Sequence, residues 1–258
     1  NNIKLREYDG SHMTFPGMNT AWGELNPHQK HQAFMIINNN GGIIDSIVGS
    51  GKTFVIVAAA MEMRRLGIAK KIVVGALKAN IADIKSDILK LYPTAKILFP
   101  TEKDFSPANR KKLLANIATN DYDVILLTHQ NINRIPNDPD IETGMVQEEI
   151  DALHDIIDSL MAEGSERTTK SLIKRLQQNI KDLEARVASI QNKSAKDKEL
   201  MNWKEIGVDH MMIDESQIYK NVPFQTKLQN IAGMGNPKGS GRAFDILTKV
   251  RTIQKLYN

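Results

Sequence analysis

The sequence contains no cysteine. Disulfide scaffolds, thiolate zinc sites and cysteine nucleophiles are therefore excluded. The absence is compatible with a reducing compartment, and a cytoplasmic protein is expected. Aromatics are scarce at 5%. No apolar run approaches the roughly 20 residues needed to span a bilayer. The longest, Phe54 to Met61, is less than half that length and follows a glycine loop, so no membrane partner is expected. No secretory signal opens the chain, and Asn1 stands where an initiator Met would, which reads as a processed product or an excised fragment. Net charge is also small, at +4, too little by itself to argue for nucleic acid. Its distribution is more telling. Asp140 to Glu205 carries 14 acids against 10 bases, a net of −4, so the remainder carries +8.

What is present is globular: 258 residues, 41% apolar and 25% charged. At about 100–200 residues per domain, this is one large domain or two small ones. Leu25-Asn26-Pro27 reads as a helix start, continued by His28 to Asn38. Gly42 to Val48 is a short apolar run bounded by glycines, expected as a buried strand. Lys52 to Leu66 reads as a buried helix stopped by Gly67. Lys71–Gly75, Ala95–Phe99, Asp123–Thr128 and Val208–Asp214 read as further strands. Helices are expected over Ile81–Tyr92 and from Ser106-Pro107 onward. Strands alternating with helices imply parallel βαβ units, hence an α/β fold whose mostly parallel sheet is sandwiched by helices.

Between the last two strands the pattern changes. Glu148–Glu163 places Ile150, Leu153, Ile156, Ile157 and Leu160 on one helical face. Thr169–Asn192 does the same with Leu172, Leu176, Ile180, Leu183, Val187 and Ile190. The first carries only acids among its charged residues, and Arg167–Lys198 has nine bases against three acids. A short linker and opposite charges predict an antiparallel helical hairpin inserted at about 140–205. Its basic face is either a solvated partner of the acidic helix or a contact for DNA or a partner domain.

Ser46 to Thr53 reads S-I-V-G-S-G-K-T. A glycine loop between a strand and a helix lets backbone N–H groups converge on an anion at a helix N-terminus. Gly49, Ser50, Gly51 and Lys52 would cradle phosphates, and the Thr53 hydroxyl would take Mg²⁺. Ser46 stands where the full pattern wants glycine. Met211 to Gln217 supplies the second piece, an apolar strand ending in Asp214-Glu215. Carboxylates at that edge suit a metal and an attacking water, because ligands of parallel sheets bind at strand C-termini.

These segments together resemble the first RecA-like lobe of superfamily-two helicases and translocases. The likeness is nearest to the chromatin-remodeller-like branch, and within it to the helicase–DNA methylase proteins of phages and conjugative elements. Leu25 to Gln29 resembles an element in which Gln29 reads adenine. Ser46–Thr53 matches motif I, Lys71–Lys78 sits at motif Ia and Ile125–Gln130 near motif Ib. Asp214 to Gln217, then Lys220-Asn221, matches motif II, with Gln217 where histidine is usual. Gly75 stands where the family has proline, and Gly239–Tyr257 resembles the stretch before motif III. The resemblance implies a RecA-like P-loop lobe over residues 25–258 behind an extension at 1–24. It implies ATP and Mg²⁺ as cofactors, with Asp214 holding the metal, Glu215 placing the water and Gln217 coupling the site to the inter-lobe cleft. Lys78, Thr128 and His129 are the expected nucleic-acid contacts, and the expected partner is DNA, double-stranded in this branch.

No S-A-T or T-G-T-P segment, no second lobe with its arginine finger and no N-P-P-Y tetrad is seen. The expectation is half of a two-lobe ATP site, from a larger helicase–methylase protein. His28, His31 and Gln32 cluster near the expected base pocket but lack the donors for a metal. Gly233–Gly241 lacks G-K-[ST] and reads as a loop. Two other functions stay open: a nucleotide-independent DNA-binding or docking module that keeps a P-loop scaffold, and an NTPase acting on something other than nucleic acid.

Overall fold

The computed structural model describes residues 7–47, 49–162, 167–196, 199–223 and 239–257. In chain order these form α1 (Pro27–Asn38), α2 (Lys52–Leu66), β1 (Ile72–Ala76), α3 (Ile81–Leu91), β2 (Ile97–Leu98) and α4 (Pro107–Thr119). Then follow β3 (Val124–Thr128), α5 (His129–Ile132), α6 (Pro139–Ala162), α7 (Arg167–Lys196), β4 (His210–Ile213) and α8 (Gly241–Tyr257). Short 3₁₀ turns lie at Thr20–Trp22 and Ser216–Tyr219. The chain divides into two compact units. The first takes in the residues up to Asn109, Asn116–Ile132 and Gly207–Glu215; the second takes in Arg110–Ala115, Asn133–Ile206 and the described residues from Ser216 onward.

The first unit holds a four-stranded sheet ordered β2-β3-β1-β4, parallel at every pairing. β1 and β3 are buried at all five positions, as a sheet covered on both faces requires. Ile72, Val74 and Ala76 of β1, Val124 and Leu126 of β3 and Met212 of β4 face one core. Ala58, Ala59 and Met63 of α2 and Ile84 and Ile88 of α3 complete that core. Phe15 joins it too, so the stretch before residue 25 packs on the domain although it shows no periodicity.

On the opposite face Gly75 has a steric reason. A Cβ there would lie 2.6 Å from Ile213 Cδ1 and 2.7 Å from Ile132 Cδ1, so any larger residue requires both isoleucine side chains to shift. Asp209 ties the starts of β1 and β4 together, its carboxylate accepting from the Lys70 and Lys71 N–H groups at 2.7 and 2.8 Å.

One expected strand is absent. Residues 41–47 form no strand, and Ile43 and Ile47 are 88% and 82% exposed; Val48 lies outside the described residues. An apolar run can satisfy its backbone as a strand only beside a neighbour. Among the described residues β4 pairs with β1 alone, and the Ser46 and Ile47 carbonyls accept from Lys52 instead.

His210 is buried in β4, and burial pushes its pKa below the ordinary 6.5 despite the opposing pull of Asp209. The folded chain therefore resists a proton that the unfolded chain accepts. Stability is fully present above 6.5 and is lost as pH falls through it. His210→Leu should lose less melting temperature than the parent between about pH 7.5 and about pH 5.5. Equal losses would show that another group carries the acid sensitivity.

In the second unit α6 and α7 pack through Val146, Ile150, Leu153 and Ile157 against Leu176 and Ile180, with Phe244 of α8. Each such side chain contributes about 1.5–3 kcal/mol over leaving it in water. The helical hairpin thus forms along the seam of its apolar periodicity. α6 starts earlier than its apolar face suggests because Asp138 caps it, accepting from the Ile141 N–H at 3.0 Å, with Pro139 at the first turn. Residues 163–166 and 224–238, which include the hairpin linker and most of the glycine-rich loop, lie outside the described residues.

Candidate phosphate-loop site

The loop before α2 turns on two glycines. Gly49 has φ +85 and Gly51 has φ +79, conformations that L side chains rarely adopt. At Gly51 space is a second constraint, because a Cβ would run into the Gln29 amide. α2 begins at Lys52, with Thr53 following at its first turn, so both residues sit where backbone N–H groups are unsatisfied by the helix itself. At its far end Gly67, at φ +73, closes the helix.

α1 grips this loop at both ends. Gln32 Nε2 donates to Ser46 Oγ at 2.7 Å. Gln29 Nε2 donates to the Ser50 carbonyl at 3.0 Å, and His28 Nε2 lies 3.2 Å from the same oxygen. The remaining amide oxygen of Gln29 accepts from the Asn26 N–H at 2.9 Å, half of a capping box. Gln29, the expected adenine reader, is thus only 4% exposed and holds the loop and the helix start. The hydroxyl of Ser46 explains how a non-glycine residue is accommodated there: it is bonded to α1. The short pattern around Gln29 carries no signal for Gln32, whose role depends on where the loop folds back.

Lys52 Nζ donates to the Ser46 carbonyl at 2.8 Å and reaches the Ile47 carbonyl at 3.4 Å. A phosphate would take over these donors.

Asp214 follows β4, and its N–H donates to the Gly75 carbonyl at 2.9 Å, extending the pairing by one residue. Burial raises its pKa, the neighbouring Glu215 raises it further, and Lys52 pulls it back down. The two motifs, over 160 residues apart, therefore lie in the same unit and within electrostatic reach of each other. Glu215 holds φ +55, a left-handed conformation costly for a side chain of this kind and typical of functional turns. Among the described residues no group of three or more His, Asp or Glu converges as a metal cage. One carboxylate and one hydroxyl, with phosphate and water completing the shell, fit Mg²⁺, which keeps most of its water.

Gln217 is exposed in the 3₁₀ turn, which belongs to the second unit. Of the three expected nucleic-acid contacts, Lys78 is exposed, whereas Thr128 and His129 are 8% and 6% exposed. The Thr128 hydroxyl accepts from the Asn131 N–H at 3.1 Å and caps α5.

A model of the family described as "Probable helicase domain" matches residues 34–258. The chain belongs to that family. Its function is accordingly helicase-related, and the matched segment includes both the phosphate loop and Asp214-Glu215. The gripping residues His28, Gln29 and Gln32 lie ahead of it. The comparison with curated proteins finds no match. No helix among the described residues is long and apolar enough to cross a membrane.

Proposed function

We propose that the chain is the ATP-binding motor lobe of a DNA-dependent ATPase, a helicase or double-strand translocase. The observation that carries this reading is the loop turned by Gly49 and Gly51 onto the N-terminus of α2 at Lys52, in the same unit as Asp214 at the C-terminal edge of a parallel sheet. Lys52 and the loop N–H groups bind the β- and γ-phosphates. Thr53 and Asp214 would hold Mg²⁺, which would supply positive charge to the phosphates. Glu215 accepts a hydrogen bond from the attacking water and orients it. Gln29 exchanges the Ser50 carbonyl for the adenine edge when nucleotide binds, and Gln217 links the site to a second lobe. Catalysis here is positioning and charge stabilisation, with little covalent work for the protein. DNA contacts begin at Lys78. A methylase domain in the same polypeptide belongs to this proposal only through the family resemblance.

The scaffold alternative has two observations in its favour: Lys52 satisfies itself on loop carbonyls, and the residues before the loop are outside the sheet. Titration with a fluorescent ATP analogue plus Mg²⁺, followed by steady-state turnover with and without DNA, separates the two. Nucleotide binding with slow turnover is expected for the chain alone, because its partner lobe completes the site. Salt-dependent DNA binding with no nucleotide binding at all would establish the scaffold. A DNA-stimulated rate within the usual enzyme range, about 1–1000 per second, would refute the half-site.

A further inference from the structure

The second unit contains a cavity of about 480 Å³ near the C-terminal half of α7, within the range of small-molecule sites. Arg186 and Lys193 line it, two helical turns apart and so about 10.5 Å along one face, with Ser189 between them. Glu142 and Glu205 are also in its lining. The Arg186 guanidinium carbon lies 3.8 Å over the Phe244 ring centroid, a cation–π contact that holds the head group at the cavity wall. Among the described residues neither Arg186 nor Lys193 has a carboxylate within ion-pair distance. Glu142 feels both cations, yet burial dominates and raises its pKa. Glu205 uses one oxygen on the Asn202 N–H at 2.7 Å.

We propose that this cavity binds one nucleotide unit, its phosphate on Arg186 and Lys193 and its hydroxyl or amine donors on the Glu142 and Glu205 carboxylates. A planar guanidinium held by an aromatic ring is suited to bidentate phosphate recognition, and a lysine beside it adds a point charge. The mixed lining disfavours a bare anion, because the negative charge of inorganic phosphate is repelled by the carboxylates, whereas the neutral hydroxyl and amine donors of a larger ligand are not. The unit can be free or part of a strand; the chemistry of recognition is the same.

The test titrates adenosine monophosphate, a short single-stranded oligonucleotide and inorganic phosphate into the parent chain, Lys193→Ala, Arg186→Gln and Lys52→Ala. Lys193 is exposed, so its truncation should leave the melting temperature unchanged and keeps the test valid if Arg186→Gln disturbs the Phe244 stack. Binding of the monophosphate or the oligonucleotide should weaken about tenfold or more in both cavity variants, as loss of a charge-assisted hydrogen bond predicts, and persist in Lys52→Ala. Binding of the oligonucleotide alone would identify a strand as the source, and binding of the monophosphate a free nucleotide. Unaltered binding in both cavity variants, loss only in Lys52→Ala, or no binding of either nucleotide probe at millimolar concentration would overturn the proposal. The Lys52→Ala arm keeps its failure separate from that of the phosphate loop.

Discussion

Lys52→Ala should remove most of the chain's affinity for Mg-ATP. The ammonium is the one full positive charge the loop places at its phosphates, and its present partners are two loop carbonyls that a phosphate replaces. A charge-assisted hydrogen bond contributes about 1.5–3 kcal/mol, so affinity should fall by about 10–150-fold. Where turnover is measurable it should fall further, by about 100–1000-fold, because the same charge meets the developing negative charge of the transition state. Glu215→Gln is the informative companion. It removes a negative charge beside the Asp214 carboxyl while keeping the side-chain length, so binding should persist or tighten as turnover is lost. Equilibrium titration and single-turnover hydrolysis on the same preparations read the two effects apart. Equal binding by parent and Lys52→Ala would sink the motor reading, since no other loop side chain supplies that charge.

The second large effect is on stability. Lys249 of α8 is fully buried, and its three donors are taken by both Asp245 oxygens and Asn137 Oδ1, each at 2.9 Å. Asn137 Nδ2 closes the network on Asp245 at 3.0 Å, and the Lys249 ammonium lies 5.6 Å from the Trp203 ring centroid. Burial pulls the Lys249 pKa down and pushes that of Asp245 up, and each group's charge opposes the shift of the other. Lys249→Met leaves a buried carboxylate without its counter-charge, which costs about 3–5 kcal/mol. For a chain of this size that is a drop of roughly 6–20 °C in melting temperature. Lys249→Met combined with Asp245→Asn should recover much of the loss, because the amide still bonds Asn137 and no charge is stranded. A single variant that melts within about 2 °C of the parent would show that the pair contributes little.

The sequence by itself determined the local elements. α2 is bounded by the glycine loop and Gly67, α1 and α4 begin at their prolines, and α7 and α6 follow from the spacing of Leu176, Ile180, Ile150 and Leu153. Caps, turns and periodicity act within a few residues, so they are legible without a partner. Lys52 and Asp214 were likewise legible, because a phosphate loop and a strand-end carboxylate each carry their chemistry in consecutive residues.

Tertiary structure alone decided what depends on distant neighbours. The run at 42–47 has the composition of a strand but none beside it, and stays irregular with Ile43 and Ile47 in water. The hold of Gln32 on Ser46 and of Gln29 on Ser50 exists only once the loop folds back against α1. Lys249 looks like one more surface lysine until α8 packs and leaves it no exit to solvent. In each case the deciding force is a hydrogen bond or a desolvation cost between residues that the chain brings together late, and composition carries no record of it.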